Sequence, residues 1–486
     1  MRPLHLVVVG GGITGLAAAH RLVELGRERD GAFDLTLLEA RERLGGTIHT
    51  ERADGFLIES GPDSFLSEKP WALALAERIG LGARLCRTDD RFRRTYVVHR
   101  GRLHPLPEGF LLLAPARLWP FLGSSLFSWR GKLRMALDLV LPRRTADGDE
   151  SLAGFVARRL GREALERVAE PLVGGIYTAD PARLSLAATM PRFLALEREH
   201  RSLILGLRRS ASPRERGGAS GARWSLFVTL VGGMGELVDA LALRLPRERI
   251  RLGARVAGVA RGSGEAPWRI GLADGTALAA DGVILAGEAP TMAGLVRDAD
   301  PDLGRLLAAI PYASSATVTL AYPRAAIRHP LDGFGFVVPR GEAQAVLACT
   351  FSSVKYPGRA PAGYALLRVF LGGARQPEVL SRDDAAMVRL AHADLAALLG
   401  ITGPPCLSRV ARHPVAMPQY EIGHVERVAA IERQLAARPG LELAGAAYRG
   451  VGIADCVRSG EEAAERLLAA VGARAARPLD TPVPGS

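Results

Sequence analysis

Three adjacent glycines stand in Gly10-Gly11-Gly12-Ile13-Thr14-Gly15, a stretch that fits G-x-G-x-x-G. It lies between the β-branched run Leu4–Val9 and a run of helix formers. Glycine has no Cβ, so backbone N–H groups can close on a phosphate at a helix N-terminus, which carries about half a positive charge. Strand, turn and helix in that order are the context a dinucleotide pyrophosphate requires. Glu39 closes the next apolar run, Phe33 to Leu38, where a carboxylate accepts both hydroxyls of an adenosine ribose and disfavours a 2′-phosphate. Leu441 to Gly460 reads as a strand reaching Gly445, a turn Gly450-Val451-Gly452-Ile453, and a helix rich in Ala and Glu. Alone, this is a plain βα turn; paired with the first cradle, it offers a second helix N-terminus to the same ligand. Between these ends there is no serine triad, no His/Cys metal cluster and no Walker lysine. Chemistry would therefore belong mostly to a bound cofactor, NAD or FAD.

Elements must hold these residues in place. The spacing of Leu16, Ala19, Leu22 and Val23 predicts a helix after the first turn. Phe227 to Leu237, with Gly232-Gly233-Met234-Gly235, leads into another helix; residues 250–262 and 268–287 then read as strand, hairpin and strand, turning at Asp274-Gly275. Gly282–Ala286 returns to the central sheet. The expected fold is α/β, with a discontinuous Rossmann-like cofactor domain built from 1–85, 222–295 and 421–476. A mixed-sheet substrate domain spans 296–420, and a substrate-side, helical subdomain spans 86–215. Arg208 to Arg223 reads as a surface loop and 477–486 as a disordered tail.

With 486 residues and 48% hydrophobic content, the chain has material for two or three cores. No run of about 18 apolar residues occurs, and Met1-Arg2-Pro3 leads straight into the first strand, so neither a span nor a signal peptide is expected. Cys86, Cys349, Cys406 and Cys456 lie far apart without CxxC spacing, which suits free thiols in a reducing cytoplasm. The net charge of +12 is nearly all arginine, because Lys occurs only at 69, 132 and 355. Arginines scattered without an aromatic stripe argue against nucleic acid; anionic lipid and a polycarboxylate substrate remain as acidic partners.

The loop Glu39-Ala40-Arg41-Glu42-Arg43-Leu44-Gly45-Gly46 resembles the one that wraps the flavin pyrophosphate in amine-oxidase-like flavoproteins. The resemblance implies FAD, with Arg43 facing the phosphates, Gly45 and Gly46 passing close to them, and the Val256 backbone bonding the adenine. Thr47 stands where many members have a second Arg. The C-terminal helix would then stabilise the N1–C2=O edge of the flavin. Further stretches, among them "VGGIYTADP", "FSSVKYPGRAP", "EHRSLILG" (Glu199–Gly206) and "MPQY" (Met417–Tyr420), resemble bacterial protoporphyrinogen/coproporphyrinogen oxidases over almost the whole chain. That resemblance implies a porphyrinogen, a tetrapyrrole of haem synthesis, bound beside the flavin N5. It would lose hydride from a methylene bridge three times, with molecular oxygen or another acceptor taking the electrons from the flavin. Gly175 matches a glycine whose backbone lies near the substrate ring, Phe370 an aromatic that stacks on a pyrrole, and Val337 an apolar position on the opposite wall. Thr178-Ala179 replaces the commoner Ala-Gly. Thr95 stands where eukaryotic members have a propionate-binding Arg, and Arg94, Arg100 and Arg102 are the neighbours able to reach a carboxylate.

Other readings stand beside these. Phe370 also fits a core aromatic, the three arginines fit solvated hairpin positions, and His413 before Pro414 fits a structural role. A flavin amine oxidase would share the Glu39 to Gly46 loop but needs an aromatic cage, for which only Tyr448 stands out. A non-catalytic flavoprotein would use FAD for stability alone. Glu108 to Arg144 mixes long aliphatics, Trp119, Trp129 and basic residues. It suits either a monotopic contact with the inner face of the cell membrane or ordinary amphipathic helices. No metal is expected, and nothing in the sequence fixes the oligomeric state.

Overall fold

The computed structural model describes residues 3–28, 33–111, 113–115, 117–146, 148–210, 227–262 and 266–475. Along the Leu4–Val9 strand, Leu6 and Val8 join one buried cluster and Val7 and Val9 another. A strand buried on both faces belongs inside a parallel sheet. Here it is the middle one of five, in the order Ile250–Arg251, Phe33–Leu38, Leu4–Val9, Gly282–Leu285, Leu441–Leu443, all parallel. Stretches hundreds of residues apart in sequence thus meet in one sheet. Helices Ile13–Glu28 and Ile453–Ala475 cover one face. They cross so closely that a Cβ on Gly460 would lie 2.3 Å from the Thr14 carbonyl oxygen. The antiparallel meander Val256–Arg261, Trp268–Leu272, Ala277–Ala280 packs on the other face with helices Ala289–Val296 and Pro301–Ala308.

A second sheet has seven strands, in the order Leu407–Pro418, Tyr312–Pro323, Tyr364–Gly372, Ala348–Phe351, Gly335–Val337, Thr95–His99, Arg102–Pro105. Its last two strands are the hairpin from the 86–215 stretch, which docks onto the edge of the sheet that 296–420 builds. The register places Val97, Val337, Ala348 and Phe370 in one lateral row. Two residues along, and so on the same face, lie Thr95, Gly335, Thr350 and Arg368. The opposite face carries Val318, Leu320, Val369 and Leu371 against Met387 and Leu395 of helix Asp384–Leu399.

The helices of the 86–215 stretch pack their core, including Phe155, Val168, Leu186 and Leu203, against the face that carries Val97 and Val337. Inside them Asp138 and Arg159 are fully buried. Arg159 Nε donates to Asp138 Oδ1 at 2.7 Å, while Ser202 Oγ (2.6 Å) and the Ile204 N–H (3.0 Å) donate to Asp138 Oδ2. The Arg201 carbonyl accepts from Arg159 Nη2 at 2.7 Å. Glu199–Gly206, a segment particular to the family it resembles, therefore serves to close a buried ion pair whose remaining bonding capacity is met. Arg208, Arg209 and Ser210 extend the helix Leu203–Ser210, where a loop was expected. The rest of that loop, and the tail, lie outside the described residues.

Candidate active site

Three glycines of the first turn are required by the protein itself. A Cβ on Gly10 would lie 2.5 Å from the Ala286 carbonyl oxygen, on Gly11 2.6 Å from Leu44 Cδ2, and on Gly15 1.8 Å from the Gly10 carbonyl oxygen. Gly12 differs: it needs no left-handed backbone, and a Cβ there would meet only Gly46 Cα, at 4.0 Å. The fold does not demand glycine at 12, and the space above it is left open. Gly46, with φ of +60°, comes from the facing turn, and Gly45 N–H donates to the Gly11 carbonyl at 2.8 Å, so the two glycine turns run side by side. Glu39 is 8% exposed; its Oε2 accepts from Gly11 N–H at 2.7 Å and its Oε1 from Arg41 N–H at 2.8 Å. One bond apiece leaves each oxygen a lone pair for a diol. Ala40 follows, exposed, and Ala254 N–H bonds the Glu39 carbonyl at 2.9 Å, setting Val256 at the head of its strand beside this turn. Arg43 donates to the carbonyls of Leu44 (3.1 Å), Ile48 (3.2 Å) and Gly46 (2.8 Å). Its donors brace the Gly45-Gly46 turn that faces Gly12.

The C-terminal turn completes the cradle. A Cβ on Gly445 would have Thr14 Oγ1 and the Gly287 carbonyl at 3.9 Å, whereas one on Gly450 would lie 2.3 Å from Asp455 Cγ. Gly452 is less crowded, its Cβ position being 3.3 Å from Asp455 Oδ2. The hydroxyl of Tyr420 accepts from Gly450 N–H at 2.7 Å and donates to the Ala446 carbonyl at 2.6 Å. Gln419 Nε2 donates to the Tyr177 carbonyl at 3.1 Å. The segment Met417–Tyr420 thus fastens the C-terminal turn to the helical region. Ile453 opens the terminal helix with its side chain buried, and one turn on, burial pushes the Cys456 thiol up to about 11 against an opposing hydrogen bond with Thr14. Val451 packs against the cluster that contains Val337 and, at its margin, Phe370. The second helix N-terminus therefore adjoins the face of the seven-stranded sheet that carries Val337 and Phe370.

On that face, Gly175, Val337, Phe370 and Thr95 line one cavity of about 210 Å³. A Cβ on Gly175 would meet only Val337 Cγ1, at 4.0 Å. Gly175 is shared with a second cavity of about 270 Å³, lined also by Arg340 and Arg375, of which Arg375 pairs with Glu170. Arg94 is elsewhere, bound to Asp332 and to the Tyr96 hydroxyl. Arg100 and Arg102 are exposed on the hairpin and line neither cavity. Among the described residues, the charged one that lines the smaller cavity is Lys355, at the end of helix Ser352–Lys355. Arg368 lies on the same face with its guanidinium 4.9 Å from the Phe370 ring centroid. Both were missed in the sequence, although Arg368 and Phe370, two apart on a strand, must share a face. His413 Nε2 lies 2.9 Å from the Ser60 carbonyl oxygen, and burial lowers its pKa, which fits its structural reading. Tyr448 lines a different cavity of about 350 Å³ with Gly445 and Ser459 and belongs to the core around Val7 and Leu443. It forms no aromatic cage with Phe370. Among the described residues no group of three His, Cys, Asp or Glu is placed to hold a metal.

The profile of the flavin containing amine oxidoreductases matches residues 13–468 of the chain. The chain belongs to the flavin-containing amine oxidoreductases. This flavoprotein is 36% identical over 465 residues to a coproporphyrinogen III oxidase of Bacillus subtilis (strain 168), a match covering 96% of the chain and 98% of the relative. It is 38% identical to a coproporphyrinogen III oxidase of Propionibacterium freudenreichii subsp. freudenreichii, covering 96% and 90%. A crystal structure from Exiguobacterium sp. 255-15, of a protein assigned as a protoporphyrinogen oxidase, superposes with a TM-score of 0.83 at 33% identity and covers 96% and 98%. The cofactor of this flavoprotein is FAD, and the cradle fits it. Gly12 and Gly46 leave the approach a pyrophosphate needs, Glu39 presents two acceptors to a ribose diol, and two helix N-termini, at Ile13 and Ile453, converge there.

Proposed function

We propose that this flavoprotein oxidises coproporphyrinogen III to the porphyrin in haem synthesis, with molecular oxygen as the electron acceptor and hydrogen peroxide as its product. The observation that carries this reading is the single cavity that unites Gly175, Val337, Phe370 and Thr95 next to the Val451 turn of the cradle. Bound FAD supplies the hydride acceptor for a bridging methylene. The chain's own residues bind and desolvate the macrocycle: Phe370 offers a ring face for a pyrrole, Val337 an apolar wall, and Gly175 a backbone that a ring can approach. No side-chain base is called for, because pyrrole N–H protons can pass to water as the ring tautomerises. Cys349 does not supply one; its side chain packs into the core on the other face of the sheet, where burial pushes its thiol well up. The names of the two Coproporphyrinogen III oxidase relatives support the four-carboxylate substrate over the two-carboxylate one. The test is growth of porphyrin fluorescence when FAD-loaded protein meets coproporphyrinogen III or protoporphyrinogen IX in air, each beside a no-enzyme control. Faster turnover of the former is expected. Rates at the autoxidation level for both, with flavin retained, would overturn the reading.

A peripheral membrane contact extends the proposal. Helix Trp129–Ala136 buries Met135 but turns other apolar residues outward: Trp129 and Leu133 are each 68% exposed and Leu137 follows at the same spacing, while Lys132 is buried and donates to the Leu122 carbonyl at 2.6 Å. Trp119, 85% exposed, and Val140 belong to the same stretch. Exposed tryptophans beside leucines at helical spacing suit the headgroup region of a bilayer and a greasy substrate. Among the described residues no helix is long and apolar enough to cross a membrane. Co-sedimentation with anionic vesicles is expected for the wild type and lost in a Trp129→Ser, Leu133→Ser double variant; equal partitioning of the two would remove the membrane from the proposal.

A further inference from the structure

Among the described residues, the smaller cavity is lined by apolar side chains, threonines and one charge, Lys355. That lysine is mostly buried, and its ammonium lies 4.9 Å from the centroid of Phe227, which lines the same cavity. Its contacts are long: 3.3 and 3.4 Å to the two carboxylate oxygens of Asp63 and 3.5 Å to Ser64 Oγ. An ammonium with three donors ordinarily draws partners to about 2.7–2.9 Å. Arg368, 5% exposed, donates through Nη2 to the Gly61 carbonyl, while its Nε has no hydrogen-bond partner. Burial raises the Asp63 carboxyl, but the opposing charges of Lys355 and Arg368 outweigh it and hold the group at about 2. Asp63 is therefore ionised throughout the working pH range. Glu59 acts on Arg368 and on Asp63, and Arg359 acts on Glu59, so the three cations Lys355, Arg368 and Arg359 stand against the two carboxylates Asp63 and Glu59 and leave one positive charge in excess. A buried positive excess is costly unless an anion shares the site.

We propose that Lys355 is a carboxylate anchor of the substrate cavity, pairing with one peripheral carboxylate of the tetrapyrrole while Asp63 holds the ammonium in position and Arg368 adds to the positive field there. The proposal rests on the porphyrinogen reading above. It also accounts for a cavity whose position 95 is threonine: a cation enters the same space from the Ser352–Lys355 helix. Thr95, Thr350 and Arg368 share one row of the sheet, so a carboxylate near Lys355 would have hydroxyl donors beside it.

The test is fluorescence-quench titration of FAD-loaded protein with coproporphyrin III and with its tetramethyl ester, both in one detergent buffer. Wild type is expected to bind the acid more tightly than the ester. Lys355→Met should weaken acid binding by roughly 10- to 100-fold, the span for loss of one hydrogen bond to a charged group, and leave ester binding and bound FAD unchanged. Lys355→Arg should keep the acid preference. A wild type with no acid preference, or Lys355→Met retaining it, overturns the anchor; Lys355→Gln takes the place of Lys355→Met if the latter fails to fold. If wild type binds neither compound and oxidises no porphyrinogen, the functional reading falls and the anchor with it. Oxidation by wild type with an unchanged acid preference in the variant sinks the anchor alone.

Discussion

Replacing Gly12 by valine separates the fold's demands from the cofactor's. Within the protein a Cβ at 12 has one neighbour, Gly46 Cα at 4.0 Å, and the backbone there is not left-handed. The apoprotein should therefore change in stability by no more than about 1 kcal/mol. The isopropyl group would instead stand between the two glycine turns, where the pyrophosphate must approach backbone N–H groups. Charge-assisted hydrogen bonds contribute about 1.5–3 kcal/mol each, so losing two weakens FAD binding by about 3–6 kcal/mol. That is roughly 10²- to 10⁴-fold in Kd. The assay is titration of apoprotein with FAD by quenching of flavin fluorescence, beside urea unfolding of both apoproteins. Gly15→Ala is the contrasting control, because its Cβ would lie 1.8 Å from the Gly10 carbonyl and should unfold the turn whether or not FAD is present. Wild-type FAD affinity in Gly12→Val would refute the cradle assignment; an unfolded Gly12→Val apoprotein would show that the fold, not the ligand, requires that glycine.

Asp138→Ala strands the fully buried Arg159 together with the Ser202 and Ile204 donors and should cost about 3–5 kcal/mol, read as a fall in the urea midpoint; an unmoved midpoint would refute the network's role. Tyr420→Phe removes the hydroxyl between Gly450 N–H and the Ala446 carbonyl, at about 1–3 kcal/mol for each buried group left unpaired, and should speed FAD release in stopped-flow dilution; an unchanged release rate would mean the turn needs no such clamp. The Asp63 carboxyl titrates at about 2 in the folded protein against an ordinary 3.8, so its folded pKa is depressed. The stability it contributes, about 2 kcal/mol, is complete above pH 4 and is lost as pH falls through about 2. Asp63→Asn should flatten that part of the acid-unfolding curve, and identical curves would refute the electrostatic account.

Much of the cradle was legible in the sequence because its signals are local. Gly10 to Gly15, Glu39, Gly45-Gly46 and Gly450–Ile453 each lie within a few residues of a strand or helix, and the clashes that exclude a Cβ at Gly15 and Gly450 are local, with Gly10 and Asp455. The strands Leu4–Val9 and Phe33–Leu38 likewise follow from runs of buried β-branched and aliphatic residues. The substrate wall was reached through resemblance, since nothing in "RVF" or "VGGIY" taken alone joins Phe370 to Gly175. Tertiary structure decided the rest. It showed which glycine the fold requires and which it does not, as between Gly15 and Gly12. It turned Arg43 onto its own loop and Arg94 onto Asp332, and it brought Lys355, Asp63 and Arg368 together beside the cavity. Those choices depend on sheet register and on charge pairs separated by hundreds of residues. Sequence fixes what each side chain is able to do; only the packed chain fixes which opposite charge or carbonyl lies within reach, and electrostatic energy depends on that distance.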